Sequence, residues 1–87
     1  MSNSPQFIQA TEVVHKLKNT PDNDTLGKLY GLYKQATVGD NNTPKPSFFN
    51  MKDKIKWENW DNNRGLSTYD AEVQYIVLVN NLIRMNI

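Results

Sequence analysis

No cysteine occurs in this chain of 87 residues, and that absence constrains its fold more than any single motif. Chains this short bury a modest share of their surface and often need disulfides or thiolate-bound metal to stay folded. Neither is open to this one. Its stability has to come from packing, and 38% apolar residues suffice for one small core. Helices, whose hydrogen bonds close locally, are the shortest route to such a core. The expectation is a single all-α domain over 1–87.

Four helical segments are predicted. Phe7, Ala10, Val14 and Leu17 recur at helical spacing and predict a helix over 6–18. The stretch "NTPDND" ends it, because Pro21 disfavours helix at Thr20. The second is expected over 23–38, with Asp22 as N-cap and Gly39 just past its end. Leu26, Leu29, Tyr30 and Tyr33 mark its buried side, and Gly27 and Gly31 interrupt it at about 1 kcal/mol each relative to Ala. The third runs from Asn50, as N-cap, to Asn62, and Gly65 closes it. The fourth opens on "STYD", with Ser67 and Asp70 in capping-box positions, and continues to Met85. Val73, Ile76, Val77, Leu82 and Ile83 give it a broad apolar face. Between the second and third helices lies "GDNNTPKPSFFN", whose Pro44 and Pro46 forbid regular structure. A loop this long in so small a domain is commonly functional. Phe48 and Phe49 are expected to fasten its far end to the core.

Several function classes drop out early. The formal charge is +1, far below the basic bias of a dedicated DNA-binding domain. No apolar run approaches the roughly 20 residues of a membrane span. The opening "MSNSPQF" has neither the charged nor the apolar region of a signal peptide, so a cytoplasmic address is expected. His15 is the one histidine, which excludes a histidine-based metal site, and no nucleophile–base pair is apparent. No Gly-rich phosphate loop of known spacing occurs.

What remains is a set of basic and aromatic residues. Tyr30, Tyr33 and Lys34 lie three and four positions apart, so a helix brings them together. "MKDKIKW" places Lys52 and Lys56 on one helical face and turns Lys54 away from Lys52. Trp57 and Trp60 follow, and Tyr75 sits beside Ile76 in the fourth helix. Taken singly, the tryptophans and Tyr75 read as core and the lysines as a solvated face. Taken together they admit three readings. One is a binder of a phosphorylated, aromatic small molecule, with lysines on the phosphates and tyrosines against a base. Another is a single-strand nucleic-acid binder, against which the near-neutral charge argues. The third is a bundle used only for protein interaction.

Three stretches separate these readings. "LYKQATVGD" (32–40), "MKDKIKWENW" (51–60) and "AEVQYI" (71–76) resemble the acyl-CoA-binding protein family, whose signatures are Y-K-Q-A-T-x-G-D and F-x-x-K-x-K-W-x-A-W. The resemblance covers essentially the whole chain and is nearest in look to fungal members. It implies a four-helix bundle, up-down-down-up, with the long loop between the second and third helices. It implies a fatty acyl-CoA ligand of medium to long chain, and no cofactor, metal, catalysis or nucleic acid. His15, Tyr30, Gly31, Leu32, Tyr33, Lys34, Lys52, Lys56 and Tyr75 match positions at the ligand. Phe7, Val14 and Leu26 match the acyl groove. The chain departs from the pattern at His15-Lys16, where many members have the reverse order. It departs also at Gly27, where a larger apolar residue is common, and at Asn59, which replaces a small one. The implied role is a monomeric carrier and pool buffer touching membranes and acyl-CoA-using enzymes. The alternative is a bundle of the same shape that serves protein interaction with ligand binding lost.

Overall fold

The structure is a computed structural model and is described for residues 3–86. Met1, Ser2 and Ile87, the ends of the domain expected over 1–87, lie outside the described residues, as do the first two positions of the stretch read for a leader. Four helices are found, and no strand occurs among the described residues: α1 Pro5–Val14, α2 Asn23–Thr37, α3 Met51–Asp61 and α4 Thr68–Met85. Among the described residues, no helix is long and apolar enough to cross a membrane.

Each helix begins where a short polar side chain can take a free backbone N–H. Ser4 Oγ accepts from Phe7 N at 3.1 Å, with Pro5 in the first turn. Asp22 Oδ1 accepts from Thr25 N at 2.8 Å, and Ser67 Oγ from Asp70 N at 3.0 Å. Asn50 caps α3 through Asp53 N. Past the ends of α2 and α3, Gly39 and Gly65 take φ of +97° and +90°, where a Cβ would be strained.

Four expectations need correction. On the predicted buried side of α2 only Leu29 is buried; Leu26 and Tyr33 are exposed, and Leu32 and Ala36 face the core instead. The first helix stops at Val14, four residues before Lys18. Its last turn tightens, with Lys16 N bonding Val13 O, and the chain then crosses to the far end of α4, where Asn19 N donates to Asn86 Oδ1 at 2.7 Å. Leu17 still packs against the core, but from the connecting loop. On α4 the core stripe is Ala71, Tyr75, Val79 and Leu82, whereas Val73, Val77 and Ile83 face outward. Phe48 and Phe49 do not reach the core at all; both are exposed. The long loop is fastened by polar groups instead. Trp60 Nε1 donates to Gly39 O at 2.8 Å and Trp57 Nε1 to Thr43 O at 3.0 Å. Arg64 donates to Asn41 O at 2.7 Å, and the buried Asn41 accepts from Thr43.

The packing is uneven, and that unevenness positions the site. Helix α2 packs on both α3 and α4, and α1 packs on α4. Among the described residues, the backbones of α1 and α2 do not come close, although side chains such as Phe7 and Tyr33 meet between them. The core joins Phe7 and Ala10 of α1, Leu29, Leu32 and Ala36 of α2, and the α4 stripe. The N-terminal segment is latched to it by a buried carboxylate: Glu72 Oε2 accepts from Asn3 Nδ2 at 2.8 Å and from Ser4 N at 2.9 Å.

Candidate functional site

Because α1 and α2 stay apart, a cleft of about 420 Å³ opens between them. Thr11, Val14 and His15 line its α1 side; Leu26, Leu29, Tyr30 and Tyr33 line its α2 side. Tyr75 of α4 reaches it from below, and Leu17 and Pro21 of the loop close one end. The lining is mostly apolar, as a hydrocarbon chain requires. Under it lies an aromatic cluster. Phe7 packs on Tyr75 and Tyr33 with ring centroids 5.0 and 6.0 Å apart. Burial pushes the Tyr75 phenol above its ordinary pKa, and the neighbouring Tyr33 adds to the effect. It therefore stays a neutral hydroxyl throughout the physiological range.

On the other side of Tyr30 the chemistry changes. A second cleft, about 480 Å³, lies between α2 and α3 and is lined by Leu26, Gly27, Tyr30, Lys52, Ile55, Lys56 and Asn59. A smaller hollow of about 230 Å³ continues toward the loop, where Tyr30 and Lys56 meet Trp57, Trp60, Pro44 and Asp53. Tyr30 thus belongs to all three, and Leu26 to two. Lys56 Nζ stands 5.5 Å from the Tyr30 ring centre, and Lys34 Nζ 4.7 Å from that of Trp60. Such contacts hold an ammonium near an aromatic face without neutralising it. Among the described residues, Lys34, Lys52 and Lys56 form no salt bridge. The result is an apolar cleft and a basic cleft sharing one tyrosine as their common edge.

The expected site residues fall into two groups. His15, Tyr30, Tyr33 and Tyr75 come together around the apolar cleft with Val14 and Leu26, and Lys52 and Lys56 around the basic one. Lys34 joins from α2 through Trp60. Phe7, Gly31 and Leu32 line neither cleft. Phe7 is 2% exposed and forms the floor beneath Tyr33 and Tyr75, not the groove wall. Gly31 lies at a close approach of α2 to α3: a Cβ there would lie 2.2 Å from Asn59 O. Leu32 is core, and its edge faces a separate depression beside Val73 and Val77. Thr11, Leu29 and Asn59 went unassigned in the sequence reading. Thr11 was recoverable, since it lies three residues before Val14 and shares its helical side.

Two departures from the family pattern explain one another. A Cβ on Gly27 would meet Asn59 Nδ2 at 2.8 Å and Oδ1 at 3.0 Å. The Asn59 side chain thus occupies the space that a larger residue at 27 would fill, and its Nδ2 is held by Ile55 O at 2.9 Å.

Comparisons with known proteins agree with this fold. Residues 4–79 match the family described as Acyl CoA binding protein. The chain is 52% identical over 80 residues to the acyl-CoA-binding protein of Saccharomyces cerevisiae, covering 92% of each. It is 51% identical over 77 residues to acyl-CoA-binding protein homolog 1 of Caenorhabditis elegans, covering 88% of this chain and 90% of that one. Among solved structures, the crystal structure of Oryza sativa Acyl-CoA-Binding Protein 2 superposes with a TM-score of 0.88 at 40% identity, covering 92% of this chain and 89% of that one. The solution structure of the yeast protein superposes with a TM-score of 0.75 at 51% identity, covering 95% and 96%. A four-helix chain that matches these proteins over nearly its whole length belongs to the acyl-CoA-binding protein family.

Proposed function

We propose that this chain binds fatty acyl-CoA as a monomeric cytoplasmic carrier and pool buffer, with no catalysis of its own. The observation that supports it is the shared edge at Tyr30, with an apolar cleft on one side and unpaired lysines on the other. An acyl-CoA has the matching division into a hydrocarbon chain and a phosphorylated nucleotide. Lys34, Lys52 and Lys56 are the proposed phosphate contacts. Tyr30, Tyr33 and Tyr75 offer flat faces and hydroxyls, and Val14 and Leu26 line the path of the chain. His15, exposed at the mouth, is the remaining candidate contact.

The two halves contribute on one scale. Each charge-assisted hydrogen bond is worth about 1.5–3 kcal/mol. Each buried methylene gives about 0.8 kcal/mol, so roughly ten give about 8. Association costs absorb much of this sum, so neither half alone gives tight binding. Carrying the ester between membranes and acyl-CoA-using enzymes follows from such two-ended recognition.

Competition against a labelled long-chain acyl-CoA tests the reading. Free CoA, which lacks the chain, and 3′-dephospho-acyl-CoA, which lacks a phosphate, should both compete far more weakly than intact ligand. Equal competition by free CoA removes the apolar cleft from the site. Competition by a single-stranded oligonucleotide, with steep salt dependence, would replace the acyl-CoA reading by a nucleic-acid one.

A further inference from the structure

The phenylalanines that miss the core sit in the most positively charged stretch of the chain. Phe48 is 68% and Phe49 86% exposed, with ring centroids 4.6 Å apart. Met51 and Ile55 follow at 58% and 51% exposure. They are four residues apart and so share one side of α3. Among the described residues only α2 packs on α3, so no other helix covers these four side chains. Interleaved with them are Lys45, Lys52, Lys54 and Lys56. Asp53 is the single carboxylate of residues 45–56, which therefore carry a formal +3. The whole chain carries +1, so every other residue together sums to −2.

The local negative groups do not cancel this patch. Asp53, already counted in the +3, keeps its charge while accepting a bond from the neutral Asn50 amide, whose Nδ2 lies 2.8 Å from Asp53 Oδ2. Lys45 Nζ is 3.9 Å from Glu58 Oε2, with both side chains about half exposed. A long, solvated pair of that kind is weak and easily exchanged for another anion.

We propose that this tip, with Phe48, Phe49, Met51 and Ile55 set among lysines, docks on the surface of an anionic phospholipid bilayer. Surface binding of this kind needs two signals, an apolar insertion and a basic attraction, and each is weak alone. The tip has both within twelve residues, and the rest of the chain sums to −2, so the net positive charge of the chain resides in this stretch. The inference deepens the carrier reading and rests on it in one respect. Lys52, Ile55 and Lys56 also wall the basic cleft, so docking here sets that cleft beside the membrane in which an amphipathic ester resides.

The test is flotation of the full chain with phosphatidylcholine vesicles, with and without phosphatidylserine. Anionic vesicles should bind it about tenfold or more better than neutral ones, and added salt should weaken the binding. The double variant Phe48→Ser/Phe49→Ser should lose about tenfold of vesicle binding. Its calorimetric affinity for acyl-CoA and its melting temperature should match the parent, since both rings are exposed and line neither cleft. No preference for anionic vesicles, or full binding by the double variant, overturns the proposal. Vesicle binding with no acyl-CoA heat would instead overturn the carrier reading and leave the tip standing. Acyl-CoA binding without vesicle binding would do the reverse.

Discussion

Toward α4, helix α2 presents Leu29, Leu32 and Ala36; toward α3 it presents Gly27 and Gly31. The first face meets Ala71, Tyr75, Val79 and Leu82 and excludes water. The second lets backbones come close, at Asn59 O, and leaves lysines standing around a cleft. One side of the helix is held by apolar burial, the other by close approach and polar bonds. The contrast separates stability from recognition. Burial on the α4 side keeps the bundle folded, so the α3 side is free to hold like charges together. Without a ligand, Lys52 and Lys56 on one face repel modestly and give little back.

The sharpest way to break this division is a pair of substitutions, one on each side. Leu82→Ala should cost about 2–5 kcal/mol of stability in denaturant unfolding. It should leave the affinity of the folded molecules nearly unchanged, because Leu82 lines neither cleft. Lys56→Ala should do the opposite, weakening acyl-CoA binding by about 1.5–3 kcal/mol with little change in the melting temperature. Lys34→Ala should resemble Lys56→Ala, and the two together should be less than additive if they serve one phosphate. Lys54→Ala is the control, since Lys54 lines neither cleft. Calorimetry beside chemical denaturation reads all of these. A Leu82→Ala protein with ruined affinity would show that the two faces are not separable.

How far the sequence announced each face follows from the same contrast. Helix starts were legible because Asp22, Asn50 and Ser67 are local signals, each completed by an N–H three residues on. Gly39 and Gly65 were legible because only a residue without Cβ sits easily at those φ values. The α4 face was read in part: Leu82 is buried and Ile76 packs on the core, but Val73, Val77 and Ile83 are as apolar as the true core positions and periodicity alone cannot rank the two stripes. Leu17 prolonged the α1 pattern because an apolar residue in a loop can pack as well as one in a helix. The anchors of the long loop were invisible: Asn41 and Gln35 are buried polar residues, and no hydrophobic period points to them. The lysines and tyrosines were found as types. Their division between two clefts sharing Tyr30 needed three dimensions.

Gly31 is a tight contact on the α3 side, so its substitution should strike both packing and recognition. A Cβ at 31 would sit 2.2 Å from Asn59 O and 2.7 Å from its carbonyl carbon, and backbone cannot swing aside. Gly31→Ala should therefore push α3 from α2 at a cost of about 1–3 kcal/mol. Up to about 1 kcal/mol of improved helix propensity offsets part of it. Acyl-CoA affinity should fall along with the melting temperature, because Lys52 and Lys56 move with α3. Unchanged affinity in a destabilised Gly31→Ala protein would show that the α2–α3 spacing does not set the basic cleft.

Gly27 should be far more tolerant, because what its Cβ would meet is the movable Asn59 side chain. Exchanging the pair as Gly27→Ala/Asn59→Ala roughly conserves volume, and such swaps cost less than about 1.5 kcal/mol. The effect belongs to ligand choice: the exchange removes an amide from α3 and adds a methyl group to α2 beside Leu26 and Tyr30, which border both clefts. A calorimetric series of acyl-CoA chain lengths should show a shifted optimum in the double variant. An identical series for both proteins would detach this pair from the groove.

The smallest effect concerns Asp40, which ties the end of α2 to the start of α4. Its Oδ1 accepts from Gln35 Nε2 and from Gly65 N, each at 2.8 Å. These two donors favour the carboxylate, the Gly65 amide most, and hold its pKa below the ordinary 3.8. A carboxyl group depressed by folding contributes stability that is full above its unfolded pKa and is lost as pH falls through the folded one. The parent should therefore melt earlier as the solution is acidified below about pH 3.8. Asp40→Asn keeps an acceptor oxygen but no charge, so it should be less stable at neutral pH and show a flatter acid limb. Melting temperatures of the two proteins, followed from neutral pH into acid, should converge. Curves that run parallel to the lowest pH would assign the difference to geometry alone and remove the Asp40 charge from the junction between the two faces of α2.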